Sequence, residues 1–290
     1  MKQITHYIDV LKLGSKSDNT IRSYTKDLHK LVSYFNIEDA SELDKLEVAD
    51  FHKLYASQNV SPNSLKSLIR NLSAFFSWLA KSKIISKDNA FFQVDFGGSK
   101  FPKIIKKKKT ILTQEEAEAL VNAGRNLQEK FMLRLMITTA LRRDEVCNIK
   151  MTDIRGCAIS IKSKGGDEDD ETYLNEQLCQ MLQEYLKERN TDSEYLFYGT
   201  RGFDGDKGKL TGTSINNRVK ACAKLSGIPE EKVKVTSAHR LRAFAITQMY
   251  IKKGMEAAQA LGRHENQETT KAYVTLGNEF VKGLLLGDNE

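Results

Sequence analysis

A mainly helical chain with one small β-hairpin, split into a helical N-terminal domain and an α+β second domain, is what the sequence predicts. Three observations predict it. Apolar residues recur at helical spacing over most of the 290 residues, and only three prolines interrupt them. One short stretch, Cys157-Ala158-Ile159-Ser160-Ile161, alternates as a strand does and leads to the turn sequence Ser163-Lys164-Gly165-Gly166. Between the halves the composition changes, from Gly97-Gly98-Ser99 through Pro102 to Lys106-Lys107-Lys108-Lys109. The boundaries that follow are a helical domain over 1–96, a basic linker over 97–110, a second domain over 111–277 and a tail over 278–290.

In the first domain, Ile4, Tyr7, Ile8 and Leu11 share a helix face that ends at Gly14-Ser15. Asp18-Asn19-Thr20 can cap a second helix carrying Ile21, Tyr24, Leu28, Leu31 and Phe35. A third helix is expected over 41–55, with Leu43, Leu46, Val48 and Phe51 inward. Ser61-Pro62 opens a fourth, in which Leu65, Leu68, Ile69, Leu72, Phe75, Phe76 and Leu79 form a dense apolar face around Trp78. Such helices are generic. The lysine run that follows stays solvated and extended unless an opposite charge meets it. The run reads as a soluble interdomain linker or, if the flanking domains clamp a duplex, as a crossing of the phosphate backbone, where each lysine that neutralises a phosphate steepens the salt dependence of binding.

The second domain opens with a capping box, Thr113 at the N-cap and Glu116 three residues on. Phe131, Leu133, Leu135, Met136 and Ile137 belong to a buried helix that runs into Thr139-Ala140-Leu141-Arg142-Arg143-Asp144-Glu145. The strand at 157–161 is expected to return through Thr172-Tyr173-Leu174, across an acidic turn, Asp167 to Glu171. Leu178, Leu182 and Leu186 mark a helix, Tyr195-Leu196-Phe197 a short strand, and 214–227 another helix whose Arg218, Lys220 and Lys224 either face water, the simpler expectation, or reach a groove. The Gly-rich loop over 203–209 lacks P-loop spacing.

The chemistry is concentrated in 237–276, which places His239, Arg242, His264 and Tyr273 in order. Leu241, Phe244, Ala245 and Met249 form the apolar stripe of a helix, with His239 and Arg242 on its flank. Arginine suits phosphate because its planar fork gives two parallel charge-assisted hydrogen bonds and never deprotonates. Histidine moves a proton near neutral pH. A phenol, which titrates near ~10, attacks at pH 7 only with cations or a base beside it. Each residue alone is ordinary; the order and spacing are not. His239-x-Leu241-Arg242, then Leu261-Gly262 and His264, then Thr269-Thr270 and Tyr273 resemble the C-terminal boxes of the tyrosine recombinase (phage integrase) family. Arg263 separates Gly262 from His264, where the family has Gly-His directly, and Ala243 follows Arg242 where a second His is common. The stretch around Arg142 is similar to the family's first box, T-G-L-R-x-x-E.

The resemblance implies a site-specific recombinase that cleaves and rejoins DNA through a 3′-phosphotyrosyl intermediate. Tyr273 would be the nucleophile and Arg142, Arg242, His239 and His264 the phosphate-binding and proton-handling groups. Lys164 in the hairpin turn would protonate the leaving 5′ oxygen, with Lys162 as the alternative. Glu145 would fix the geometry of Arg142, Arg143 would be a weaker phosphate contact, and Lys106, Lys107, Lys108 and Lys109 would follow the DNA backbone. Ala140 stands where the family has Gly, so an ordinary helical backbone is expected there. The first domain would be the family's four-helix core-binding domain. The apolar tail, Phe280-Val281 with Leu284-Leu285-Leu286, would dock on a neighbouring protomer. Partners would then be inverted-repeat core sites in double-stranded DNA, three further copies of the chain, and accessory DNA-bending proteins. Neither metal nor cofactor is required, since the bond energy stays in the protein–DNA ester. The size resembles the compact Xer-type or transposon-resolution members. The acidic run at 167–171 fits poorly: it points to solvent or meets basic groups of a neighbouring subunit.

Composition bounds the rest. A formal charge of +7 and a pI near 9.0 suit a polyanionic partner. Cys147, Cys157, Cys179 and Cys222 are scattered, with no C-x-x-C spacing, and read as reduced structural thiols in a cytoplasmic, nucleoid-associated protein. No stretch approaches the ~20 apolar residues of a membrane span. Three rivals remain: a type IB topoisomerase with nearly the same residues, a non-catalytic helical DNA-binding protein, and a metal-dependent nuclease, which would need clustered carboxylates that only 167–171 supplies.

Overall fold

The computed structural model describes residues 2–95, 112–162, 169–199, 208–264 and 268–271. Lys106, Lys107, Lys108, Lys109, Lys164, Tyr273 and the apolar tail lie outside the described residues. The chain divides into two compact units, Met1–Lys107 and Lys108–Glu290.

The first unit contains α1 (Lys2–Leu13), α2 (Asp18–Phe35), α3 (Val48–Ala56) and α4 (Pro62–Lys81). The cap of α2 is Ser17, one residue before the expected Asp18. Pro62 starts α4, where its missing N–H costs nothing, and Ser61 caps it. Leu68, Leu72, Phe75, Phe76 and Leu79 turn one face of α4 fully inward. Phe76 stacks on Phe91 with centroids 4.1 Å apart, and the buried Asn71 amide donates to Asp27 Oδ2 at 2.8 Å across to α2. The single helix expected over 41–55 is two elements. A 3₁₀ turn, Ala40–Lys45, is closed by the Asp39–Glu42 capping box. Leu46 and Glu47 then adopt extended backbone, and Asp50 caps the start of α3 by accepting from the Glu47 N–H at 3.0 Å. Apolar spacing survives this break because both pieces bury the same side.

The second unit begins as the capping box predicts. Thr113 N–H donates to Glu116 Oε2 at 2.7 Å, Glu116 N–H to Thr113 Oγ1 at 3.2 Å, and α5 (Gln114–Asn122) follows. Behind it lies α6 (Leu127–Thr139), apolar on nearly every side and therefore central. It packs on α5, α8 (Glu176–Glu188) and α11 (Ala238–Lys253). Three antiparallel strands, β1 (Ile154–Arg155), β2 (Ala158–Lys162) and β3 (Asp169–Tyr173), form a sheet in the order β1-β2-β3. The register sets Lys162 opposite Asp169 and Ile161 opposite Asp170. Asp169, Asp170 and Glu171 are thus strand residues, not the turn expected from the sequence: their period-2 placement keeps Thr172 buried on the same strand. Tyr195 and Tyr198 make only isolated bridges, to Lys150 and Lys209, so the strand expected at 195–197 is not one.

The remaining helices are α7 (Arg143–Asn148), α9 (Gly212–Leu225), α10 (Glu230–Val235) and α12 (Met255–Gly262). Arg218 on α9 does not face water: it is 19% exposed, and its Nη1 sits 3.6 Å from the buried carboxylate of Glu129, which Arg125 also holds. Two of the four cysteines also depart from the reduced reading. Cys157 and Cys179 form a disulfide between the approach to β2 and α8, their Cα atoms 5.3 Å apart, within ordinary disulfide reach. Cys147 and Cys222 are free and buried, and burial pushes both thiols up to about 11. Among the described residues no helix is long and apolar enough to cross a membrane.

Candidate active site

Two helix ends and one helix start meet in the second unit. α6 stops at Ala140, which takes a left-handed conformation (φ 52°, ψ 27°) and swings the chain out so that Arg142 becomes the N-cap of α7. The helical backbone expected at Ala140 is therefore corrected: a left-handed residue ends the helix here, as glycine commonly does, and alanine accepts the strain. α11 starts beside it, its Ala238 N–H donating to Asn216 Oδ1 at 3.1 Å. α12 ends at Gly262, and Arg263 is again left-handed (φ 47°, ψ 54°). Gly262 has no room for a side chain, because an added Cβ would lie 2.8 Å from His264 Cε1.

Arg242 is the hub. It is 4% exposed, not on a solvated flank, because α11 is packed between α6, α9 and α12. Its Nη1 donates to the Ala140 carbonyl and its Nη2 to the Gly262 carbonyl. One guanidinium thus ties both helix ends together. Its Nη2 also lies 3.2 Å from His264 Nε2. A guanidinium only donates, so Nε2 accepts, and the neutral ring must carry its proton on Nδ1, which lies 2.9 Å from Thr270 Oγ1. Burial first, then the charges of Arg242, Arg142 and Arg263, push His264 down to about 4.

Arg142 is more open, its side chain 41% exposed. Its N–H and Nη1 donate to Glu145 at 2.6 and 2.8 Å, and its Nη2 donates to the Arg263 carbonyl at 3.1 Å. Glu145 takes a third donor, Arg263 Nη2, at 2.6 Å. An open cleft of about 410 Å³ lies over these groups. Arg142, His239, Arg242 and His264 line it, together with Arg143, Asn216, Ser237 and Thr269. Arg143 Nε pairs with Asp144 at 3.1 Å, and Gly212 leaves room for its side chain. Three guanidiniums, with Arg142 and Arg242 100 positions apart in sequence, two imidazoles and, among the described residues, Asp144 as the one carboxylate on the wall suit a tetrahedral oxyanion. Residues 110–279 match the Phage integrase family, and residues 4–86 match the family's N-terminal SAM-like domain. The chain belongs to the phage integrase family.

The integrase is 26% identical over 283 residues to tyrosine recombinase XerA of Pyrococcus horikoshii, covering 96% of this chain and 90% of the relative. Its fold matches the Tn1549 transposon integrase in complex with a circular intermediate DNA, at a TM-score of 0.73, 18% identity and coverage of 93% of this chain and 94% of that one. It also matches a lambda integrase tetramer bound to a Holliday junction, at a TM-score of 0.72 and 14% identity, covering 94% of this chain and 76% of that one.

Of the residues singled out in the integrase sequence, Arg142, Arg143, His239, Arg242 and His264 share the cleft, and Glu145 braces Arg142 from behind. Lys162 is exposed at the end of β2. Arg263 was visible only as an interruption of Gly-His. Its signal is the charge itself: a bulky cation at a glycine-flanked helix end has to find an anion, and it finds Glu145.

The depressed His264 makes a pH prediction. Unfolded, the ring takes a proton below about 6.5; folded, only below about 4. Between those values the unfolded chain binds the extra proton, so stability rises with pH across the window and is lost as pH falls from 6.5 toward 4. Allowing for partial exposure, the contribution is about 2 kcal/mol over the window. Urea unfolding of wild type and His264→Gln at pH 4.5 and 7 should show a smaller pH difference in the variant. Equal differences would mean that the ring is not held neutral.

Proposed function

We propose that this tyrosine recombinase uses Tyr273 as its nucleophile and the cleft over Arg142 and Arg242 as its phosphate site. The phenol oxygen forms a bond to phosphorus and the bond to the 5′ oxygen breaks. The phenol proton passes to His239 or His264, and Lys164 gives a proton to the leaving oxygen. The phosphorus remains a diester, now 3′-phosphotyrosyl, so a second 5′ hydroxyl can reverse the step on a new strand without ATP or metal. Arg142 and Arg242 neutralise the charge that gathers on the non-bridging oxygens. Burial depresses His264 first and three guanidiniums add to it; a bound phosphate counters the guanidiniums and so raises the basicity of the ring.

One observation carries this reading: Arg142 and Arg242 are fastened through the adjacent carbonyls of Arg263 and Gly262, on one loop that also bears His264. Such a loop fixes the spacing of two cations over a single phosphate. The remaining assignments extend the reading. Residues 1–96 bind the core site and 97–110, with Lys106, Lys107, Lys108 and Lys109, cross the backbone. Residues 278–290 dock on a neighbour in a tetramer that holds two inverted-repeat sites.

The test is covalent capture. The full chain is incubated with nicked duplexes carrying randomised inverted arms around a short spacer. The nick lets the short 5′-hydroxyl fragment diffuse away and strands the adduct. Adducts are recovered under denaturing conditions, the DNA sequenced and the linked peptide mapped. The expected product is one DNA family joined to the Tyr273 phenol, formed equally with EDTA. No adduct, or an adduct on another residue, overturns the reading. Relaxation of a plasmid lacking the selected site is expected to be absent, which separates the recombinase from a topoisomerase.

A further inference from the structure

Glu145 serves two arginines. Its Oε1 takes Arg142 Nη1, while its Oε2 takes the Arg142 N–H and Arg263 Nη2. Without Arg263 the whole carboxylate charge would act on Arg142 and hold that guanidinium back from the cleft. Arg263 also fixes Arg142 through its own carbonyl, at 3.1 Å. Its guanidinium is 13% exposed, and the buried Nε makes no hydrogen bond but faces Asp170 Oδ2 at 3.9 Å. Asp170 lies on β3, across from Ile161 and next to the Lys162–Asp169 pair that ends the ladder. Arg263 therefore touches three things at once: the carboxylate behind Arg142, the guanidinium of Arg142 through its own carbonyl, and strand β3. Asp170, its side chain 44% exposed, faces solvent in part and a cation of its own chain in part.

We propose that Arg263 is a positioning residue that couples the β2–β3 hairpin, through Asp170, to Arg142 through Glu145. It shares out the charge of Glu145 so that Arg142 keeps one edge for phosphate. A shift of β3 toward Arg263 closes the 3.9 Å gap to Asp170 and draws the guanidinium, and with it Glu145, away from Arg142. The position of β3 is thereby linked to the readiness of Arg142. The inference rests on the proposed assignment of the cleft, and the experiment separates the two.

The probe is the nicked duplex carrying the site selected by capture. Single-turnover cleavage, DNA affinity and the pH profile of cleavage are measured for wild type, Arg263→Met, Arg263→Lys, Asp170→Asn and the Arg263→Met/Asp170→Asn pair. Arg263→Met is expected to lower cleavage about 30-fold with affinity within about twofold, since Arg142 keeps its charge but not its pose. Arg263→Lys, which can still reach Glu145, should recover most of that loss. The charged groups packed on His264 are Arg242 from α11, Arg142 from α7 and Arg263 itself. Removing Arg263 should therefore move the acid limb of the profile to higher pH, and lysine should move it back. Asp170→Asn should change the rate several-fold alone and not at all once Arg263 is methionine. Wild-type cleavage by Arg263→Met, or additive effects in the pair, overturns the coupling while leaving the phosphate site standing. Absence of wild-type cleavage sinks the underlying assignment instead. Should Arg263→Met fail to fold, Arg263→Gln, which removes the charge but keeps a polar side chain, completes the cycle with Asp170→Asn.

Discussion

Replacing Arg242 by methionine is expected to lower single-turnover cleavage about 10³-fold and to cost about 3 kcal/mol of folding stability. The first figure follows from losing a preorganised cation where charge develops in the transition state. The second follows from what stays behind. The Ala140 and Gly262 carbonyls each lose a buried charged donor, and His264 Nε2 loses the partner that fixes its tautomer. Each orphaned buried acceptor costs about 1–3 kcal/mol, and the lower desolvation cost of burying an apolar methionine does not offset that. The two effects are inseparable here because Arg242 is both the link between two helix ends and a wall of the cleft. Denaturant unfolding and covalent-adduct formation on the same preparations check both. A chain that keeps full stability while losing cleavage would mean that the two carbonyls do not depend on this guanidinium.

What was legible in the sequence was whatever is decided locally. The Thr113–Glu116 box needs only four residues, and it closes as its spacing demands. The apolar face of α4 needs only period 3.6, and Leu65, Leu68, Leu72, Phe75, Phe76 and Leu79 are buried on it, with Ile69 at its half-buried edge. The cleft residues followed from their order along the chain. What was not legible is decided by partners far away. Ala140 is left-handed because its carbonyl has to meet Arg242, 102 residues on. The Cys157–Cys179 pair arises because the sheet brings β2 to α8, which spacing alone does not announce. The helix expected over 41–55 breaks where Asp50 offers its carboxylate to the Glu47 N–H, a bond that an apolar count cannot see. Arg218 is inside because Glu129, at 1% exposure, requires cations. The acidic residues of β3 sit beside a basic site because Arg263 is there to meet Asp170.

Replacement of Arg142 by lysine should separate catalysis from stability, in contrast to Arg242. The expected loss of cleavage is about 10²-fold to 10³-fold, with unfolding changed by less than about 1 kcal/mol. The asymmetry lies in which atoms do the structural work. The 2.6 Å bond that starts α7 comes from the Arg142 backbone N–H to Glu145, and lysine keeps it. The side-chain pair to Glu145 is 41% exposed at its arginine end, a lysine still sets a cation beside the carboxylate, and Arg263 holds Glu145 independently, so folding loses little. What lysine cannot keep is the fork. Arginine holds Glu145 Oε1 with one nitrogen and the Arg263 carbonyl with another while its remaining donors face the cleft. An ammonium is a point charge on a flexible stem and has to choose between the carboxylate behind it and the phosphate in front. With Glu145 only 6% exposed, the carboxylate competes strongly for it. DNA affinity should therefore change only about threefold while the chemical step slows, and a nicked-substrate time course against a binding isotherm distinguishes these. If Arg142→Lys cleaves within fivefold of wild type, charge alone suffices at this position, and the braced geometry of Glu145 and the Arg263 carbonyl has no part in catalysis.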